Sequence, residues 1–234
     1  MPEDGARAGA QGGGEGGEPE SARVARLLRD DILDGVRPPG GRLVERDLAA
    51  ELGVSRVPVR DALKMLVSEG LVTLRPRTWA VVREFTPSDI ADLNEVRSAL
   101  EVLTFKLAAQ RHTRPGLARL RSALDAELDA ARSGDAVAAR RAAADFHECV
   151  TELAGNQLLD ELELVLRSRM RWLLGQHDDL LRVAEEHERL YEALARRDTA
   201  EVEELALRHL ETGRRLHDGR RLHDEHRAAG DDAG

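Results

Sequence analysis

The sequence predicts a mainly α-helical chain in two parts: a small helical head closed by two short strands, then an all-α antiparallel bundle of six helices. Three observations carry that expectation. Charged residues make up 34% of the 234 and aromatics only 3%, so the core has to be assembled from Leu, Val and Ala, which favours helix packed on helix. Apolar positions recur every three to four residues over most of the chain, the period of a helix with one buried face. Only residues 71–75 and 79–83 alternate with the two-residue period of strands.

Composition sets further bounds. A lone cysteine, Cys149, excludes an internal disulfide or a thiolate metal cluster and suits a reducing compartment. No apolar run approaches the roughly 18 residues of a membrane span and no signal-like apolar region opens the chain, so a cytoplasmic protein with no membrane partner is expected. The net charge of −9 is unevenly spread. Residues 21–83 carry 12 Lys and Arg against 8 Asp and Glu, a local +4, whereas residues 84–234 carry −9. A basic module on an acidic body is the asymmetry expected where one part touches phosphate.

Residues 1–20, rich in Gly and Glu, lack apolar periodicity and are expected to form a disordered tail. The head spans 21–83. Its first helix should begin at the capping residue Ser21 and stop at Gly35, with Val24, Leu27, Leu28 and Ile32 as the buried stripe. A second helix runs from about Glu45 to Leu52 and is closed by Gly53. Ser55 caps the third, which tolerates Pro58 because the first turn has no backbone partners to lose. Val59, Ala62, Leu63 and Leu66 form its inner face and Gly70 ends it. Two wing strands follow, with Pro76-Arg77-Thr78 at the tip.

Between the second and third helices, Leu52-Gly53-Val54-Ser55 is the short turn of a helix-turn-helix, so the head reads as a winged helix-turn-helix with a small two-stranded wing. In that motif the second helix presents its N-terminal end to base edges in the major groove. Here that end carries Arg56 and Arg60, four apart and on one face, and Lys64 continues the face one turn on. Arginine suits both guanine and phosphate. Solvated arginines on a small helical core have the same pattern.

The bundle, residues 84–222, opens on Thr86-Pro87-Ser88-Asp89, which combines a capping residue, a proline at the first helical position and an acid in the first turn. Ile90, Leu93, Val96, Leu100, Leu103 and Leu107 then repeat at helical spacing. Breaks at Pro115-Gly116, Gly134-Asp135, Gly155-Asn156, Gly175-Gln176 and Arg197-Asp198 divide the region into helices at 87–111, 115–132, 135–154, 157–174, 178–197 and 199–217, and leave 223–234 as a frayed tail.

Three histidines, His147, His187 and His209, lie on or beside apolar stripes. His187 is eleven residues before Asp198 and His209 eleven after it. If Asp198 marks the turn of a helical hairpin, equal rise on both arms sets the two imidazoles level, where they can share a metal. Core histidines satisfied by hydrogen bonds are the alternative.

The segment PPGGRLVERDLAAELGVSRVPVRDALKMLVSEGLV resembles the winged helix-turn-helix of the GntR family of bacterial regulators. The bundle, through Glu95-Val96-Arg97-x-x-Leu-Glu101, Phe146-His147, Ala154-Gly155-Asn156, Glu186-His187, Asp198 and His209, resembles the all-helical FCD ligand-binding domain of the FadR-type branch. The resemblance implies DNA contacts by Arg46, Arg56 and Arg60 with Ser55 in support. It also implies a divalent metal of the Zn, Ni or Mn type on His147, His187 and His209, and a small carboxylate effector contacted by Arg97 and Asn156. Two departures stand out. The family's metal-binding aspartate precedes the Phe-His histidine by four residues, and that position is Ala143 here. Asp145 lies about 200° around the helix from His147 and cannot substitute. The family's wing-tip glycine is replaced by Trp79.

The expected function is a ligand-responsive transcriptional repressor that binds palindromic operator DNA as a homodimer. A metal-responsive regulator differs from it only in the signal. A three-histidine metal hydrolase is a third possibility. No general base or nucleophile constellation accompanies the histidines, so the chain is not expected to be an enzyme.

Overall fold

The computed structural model describes residues 18–75 and 79–231, with side chains described through Arg215, Trp79 excepted. Three helices form the head: α1 (Glu20–Leu33), α2 (Glu45–Leu52) and α3 (Arg56–Ser68). Strands β1 (Arg42–Val44), β2 (Val72–Arg75) and β3 (Trp79–Val82) close it. The bundle comprises α4 (Pro87–Arg111), α5 (Arg114–Ser133), α6 (Ala136–Ala154), α7 (Gln157–Leu174), α8 (Leu180–Ala195) and α9 (Thr199–Asp231). No described helix is long and apolar enough to cross a membrane. Residues 1–17 of the expected tail, the wing tip at 76–78 and residues 232–234 lie outside the described residues.

The wing differs from expectation. It is a three-stranded antiparallel sheet in the order β1-β3-β2, because Arg42–Val44 pairs with β3. Three residues are too few to display a period, so β1 left no alternation to read. Trp79 begins β3, its backbone paired with Val44 on one side and Arg75 on the other. Leu43 and Ala80 reach the head core, beneath Val24, Leu28, Val59 and Leu66.

Helix ends follow local chemistry. Thr86 and Asp89 form a reciprocal capping box at the start of α4: the Thr86 hydroxyl accepts from the Asp89 N–H at 3.1 Å, and the Asp89 carboxylate accepts from the Thr86 N–H at 2.8 Å. At the start of α1 the cap is Pro19 rather than Ser21, which lies inside the helix.

The stripe expected on α4 only partly coincides with its buried face: Leu93 is buried, but the most buried positions lie elsewhere. Val96 and Leu103 are 43% and 45% exposed, while Arg97, Glu101, Thr104, Phe105 and Ala108 point inward. The interior is polar at this end of the bundle, so apolar periodicity does not mark the inward side. The last helix also continues past the 217 boundary expected from sequence, to Asp231.

Helix α7 joins the two parts. Its Ser168 hydroxyl donates to Glu69 at 2.7 Å, and the same carboxylate takes two bonds from Arg29. Trp172 packs against the head core and stacks on Phe85 with ring centroids 4.0 Å apart. Gly70, at φ +78°, lies so close beneath Arg169 that a Cβ there would meet its Nε at 2.1 Å.

Candidate functional site

Two faces carry functional chemistry, one outside the head and one inside the bundle. On the head, Gly53 takes the left-handed conformation that ends α2 and lets α3 turn away. Arg56 and Arg60 stand exposed on one side of α3, and both lean on Glu45. The Arg60 guanidinium is bidentate to it at 2.9 and 2.8 Å, and Arg56 reaches it at 3.4 Å. The hydrogen bond from Arg60 holds the Glu45 carboxyl below its ordinary range. Arg46 is exposed and bonds to Asp47, and Lys64 pairs with Asp61 one turn further along α3. Ser55 is the N-cap of α3 but makes no side-chain capping bond, so its hydroxyl stays available. Four cations thus lie on the exposed side of the motif. Glu45, which tethers two of them, escaped the sequence analysis.

Inside the bundle, α6, α8 and α9 bring His147, His187 and His209 together, one nitrogen from each ring lying within 4.8 Å of the others. The His187 and His209 rings are 4.8 Å apart by centroid, as the hairpin about Asp198 requires. Carboxylates fix the outer nitrogens: His187 Nδ1 meets Glu127 at 2.8 Å, and His209 Nδ1 meets Glu186 at 3.0 Å. Their Nε2 atoms are thereby turned inward. The buried Nε2 atoms of His147 and His187 have no hydrogen-bond partner among the described residues, and His209 Nε2 lies 3.1 Å from Arg97 Nη2. Burial, then the neighbouring His187, pushes the pKa of both His147 and His209 well below the ordinary 6.5. Both shifts favour the neutral imidazole; His147 Nε2 is unpartnered, and His209 Nε2 faces the Arg97 guanidinium, which an ion would have to displace. Convergent imidazole nitrogens, each outer nitrogen of the hairpin pair held by a carboxylate, fit a divalent transition ion.

The surroundings contain Arg97, named from the sequence as an effector contact, and groups to which the sequence assigned no role: Glu101, Glu127 and His177. Arg97 is buried, and its Nε donates to Glu101 at 2.5 Å. Glu101 Oε1 lies 3.5 Å from His147 Nδ1 and 3.8 Å from His209 Nε2. His177, on the α7–α8 connection, is pushed down to about 3 by burial and then by Arg97. It sat in a break between helices, off every stripe. Gly213 makes room for it: a Cβ there would lie 3.3 Å from His177 Nε2 and 3.2 Å from Arg97 Nη1. A signal for Glu127 did exist, since it falls on the stripe of Leu120, Leu124 and Leu128. Ala143 is buried against a small cavity shared with Glu127, His177 and His187. Asp145 points away from the histidines and pairs with Arg171 at 2.6 Å.

A larger cavity adjoins the histidines between α4, α6 and α7, lined by Arg97, Glu101, His147, Glu163, Arg167 and Arg171 among others. Glu163 accepts from the hydroxyls of Thr104 and Thr151, and burial raises its carboxyl pKa. Asn156 is not part of this lining. It caps α7 by accepting from the Leu159 N–H at 3.3 Å.

Two family models match the chain, one over each part. The model of the bacterial regulatory proteins, gntR family, matches residues 20–82, and that of the FCD domain matches 92–212. The chain belongs to the GntR family. Among its relatives, the HTH-type transcriptional regulator LutR of Bacillus subtilis is 30% identical over 204 residues, covering 76% of this chain and 92% of LutR. The gluconate operon transcriptional repressor of the same organism is 32% identical over 188 residues, 76% of each chain. A solved GntR-type regulator from Rhodococcus sp. RHA1 superposes with a TM-score of 0.73 at 30% identity, covering 84% of this chain and 96% of that one. McbR/YncC of E. coli shares the fold at a TM-score of 0.77, with 24% identity and coverage of 87% and 99%. This GntR regulator is therefore a DNA-binding transcription factor with an effector-binding FCD domain, and not an enzyme.

Proposed function

We propose that this regulator is a repressor that binds a palindromic operator as a homodimer and responds to a small organic acid held in the bundle. The observation that carries the reading is the double role of α7. Arg167 and Arg171 line the cavity beside the histidines, while Ser168, Arg169 and Trp172 of the same helix hold the head. A ligand that repositions α7 therefore acts on the head directly, which is a population shift between DNA-competent and incompetent placements.

On the DNA side, Arg46, Arg56, Arg60 and Lys64 contact the major groove and flanking phosphates, with Ser55 at the helix N-terminus. In the bundle, His147, His187 and His209 hold a divalent ion of the Zn, Ni or Mn type. Such an ion supplies a Lewis-acidic position for an effector oxygen. Arg97 pairs with the effector carboxylate.

The test is a mobility-shift titration of operator DNA with a panel of small carboxylates, run on wild type and Arg97→Ala. Release of wild type by a carboxylate, with no release of the variant, supports the reading. Release of both to the same extent removes Arg97 from the effector site. A metal-only signal is the second reading, favoured by the way Arg97 is already engaged by Glu101 and His209. It predicts DNA release on adding or removing metal, with no response to any carboxylate.

A further inference from the structure

We propose that Glu101 is the carboxylate donor that completes the three-histidine metal site. The inference rests on the metal reading above and adds a ligand to it. Three neutral imidazoles leave the full double charge of the ion buried, a costly state unless an anion joins the donor set. The other carboxylates near the cluster are committed elsewhere. Glu127 and Glu186 sit on the outer nitrogens of His187 and His209. Glu163 is held by two threonines, and Asp145 by Arg171 on the outside of α6. Position 143, one turn before His147 on the same helix face, offers only a methyl group.

Glu101 reaches the cluster from a different helix, α4. It is 8% exposed, and its Oε1 lies within 3.8 Å of ring nitrogens of two of the three histidines. Arg97 holds both oxygens, its Nε donating to Oε2 at 2.5 Å and its Nη2 to Oε1 at 3.2 Å. A carboxylate anchored by a guanidinium, with Oε1 also turned to the imidazoles, is the arrangement of a metal ligand held by an outer partner. His177 is the competing donor, but it shares its cavity with Glu127, the outer partner of His187.

The experiment uses the full chain, stripped by a chelator and reloaded with Co(II). Affinity is measured by competition with a chromophoric chelator, and the visible absorption of Co(II) reports the donor set. Wild type is expected to bind one ion per chain and His187→Ala none. Glu101→Gln should bind at least about tenfold more weakly with a changed Co(II) spectrum, and Glu101→Asp should fall between. Thermal unfolding of the metal-free variants separates lost affinity from lost folding. Should Glu101→Gln not fold, Glu101→Asp decides, because one methylene fewer withdraws the donor oxygen. A folded variant at position 101 with wild-type affinity and spectrum overturns the proposal while leaving the three-histidine site standing. Failure of wild type itself to bind Co(II) overturns the metal reading and this proposal with it.

Discussion

Among the described residues of the head, the buried side chains are apolar, and Arg46, Arg56 and Arg60 stand exposed, tethered to the α2 carboxylates of Glu45 and Asp47. In the bundle, the interior itself is ionisable: Arg97, Glu101, Glu127, His147, His177, His187 and His209 lie within the packed helices or at their edge. All eight histidines of the chain fall after residue 84. A surface of arginines over an apolar core reads a polyanion from outside and folds without reference to it. A core of imidazoles and carboxylates must have each group matched, so it is sensitive to whatever supplies or removes a partner. The two parts should therefore fail in different ways.

The largest effect is expected where that difference is sharpest. Replacing both Arg56 and Arg60 by Ala should weaken operator binding by about 2–6 kcal/mol, taking about 1–3 for each lost base contact. The melting temperature should barely move, since both side chains are half exposed. Affinity by mobility shift and stability by calorimetry on the same sample check the two halves. A large stability loss would mean that the head depends on its surface arginines. The converse variant is Glu127→Ala, which leaves His187 Nδ1 without its buried partner. It should destabilise the bundle by about 1–3 kcal/mol. Operator affinity should hold at temperatures where the bundle stays folded.

Much of the architecture was legible because its signals are local. Thr86-Pro87-Ser88-Asp89 marks the start of α4 by capping chemistry alone, and Gly155-Asn156 marks the break before α7. The equal spacing of His187 and His209 about Asp198 placed two rings side by side. What stayed hidden depends on tertiary context. Strand β1 is three residues long and exists through its pairing with β3. Glu101 lies beside Arg97 on a face of α4 that looks like a solvated one by periodicity; the resemblance singled out Arg97 for an effector, while the place of Glu101 against the histidines shows only in the fold. His177 sits in a connection, where no period applies.

A smaller effect separates the two parts by pH. His177 stays neutral when folded because burial depresses its pKa from 6.5 to about 3, and it takes up a proton on unfolding. The unfolded chain therefore binds more protons below pH 6.5. This contribution to stability is complete above that pH and is lost as pH falls toward 3, by about 1.4 kcal/mol per pH unit. His112, depressed by burial and then by Arg197, adds in the same direction. The head has no histidine, and its depressed group, Glu45, titrates below this range. Calorimetry of metal-free protein between pH 7 and about pH 5 should show the bundle losing stability first. His177→Gln should flatten that slope, and an unchanged slope would assign the acid sensitivity to other groups.

The smallest effect lies on the seam, where the outward chemistry of the head meets the inward chemistry of the bundle. Ser168 donates to Glu69, which also holds Arg29 of α1, so one hydroxyl on α7 grips a carboxylate at the end of α3. Replacing Ser168 by Ala removes one part-buried bond to a carboxylate, worth about 0.5–1.5 kcal/mol. Neither the arginine face nor the histidine cluster is touched, so operator affinity and metal content should match wild type. What should shrink is the coupling between them: if α7 transmits the signal through this contact, a saturating effector should change operator affinity by a smaller factor in Ser168→Ala. Equal factors in the two proteins would move the transmission path to the other contacts of α7, Trp172 on Phe85 and the head core and Arg169 over Gly70.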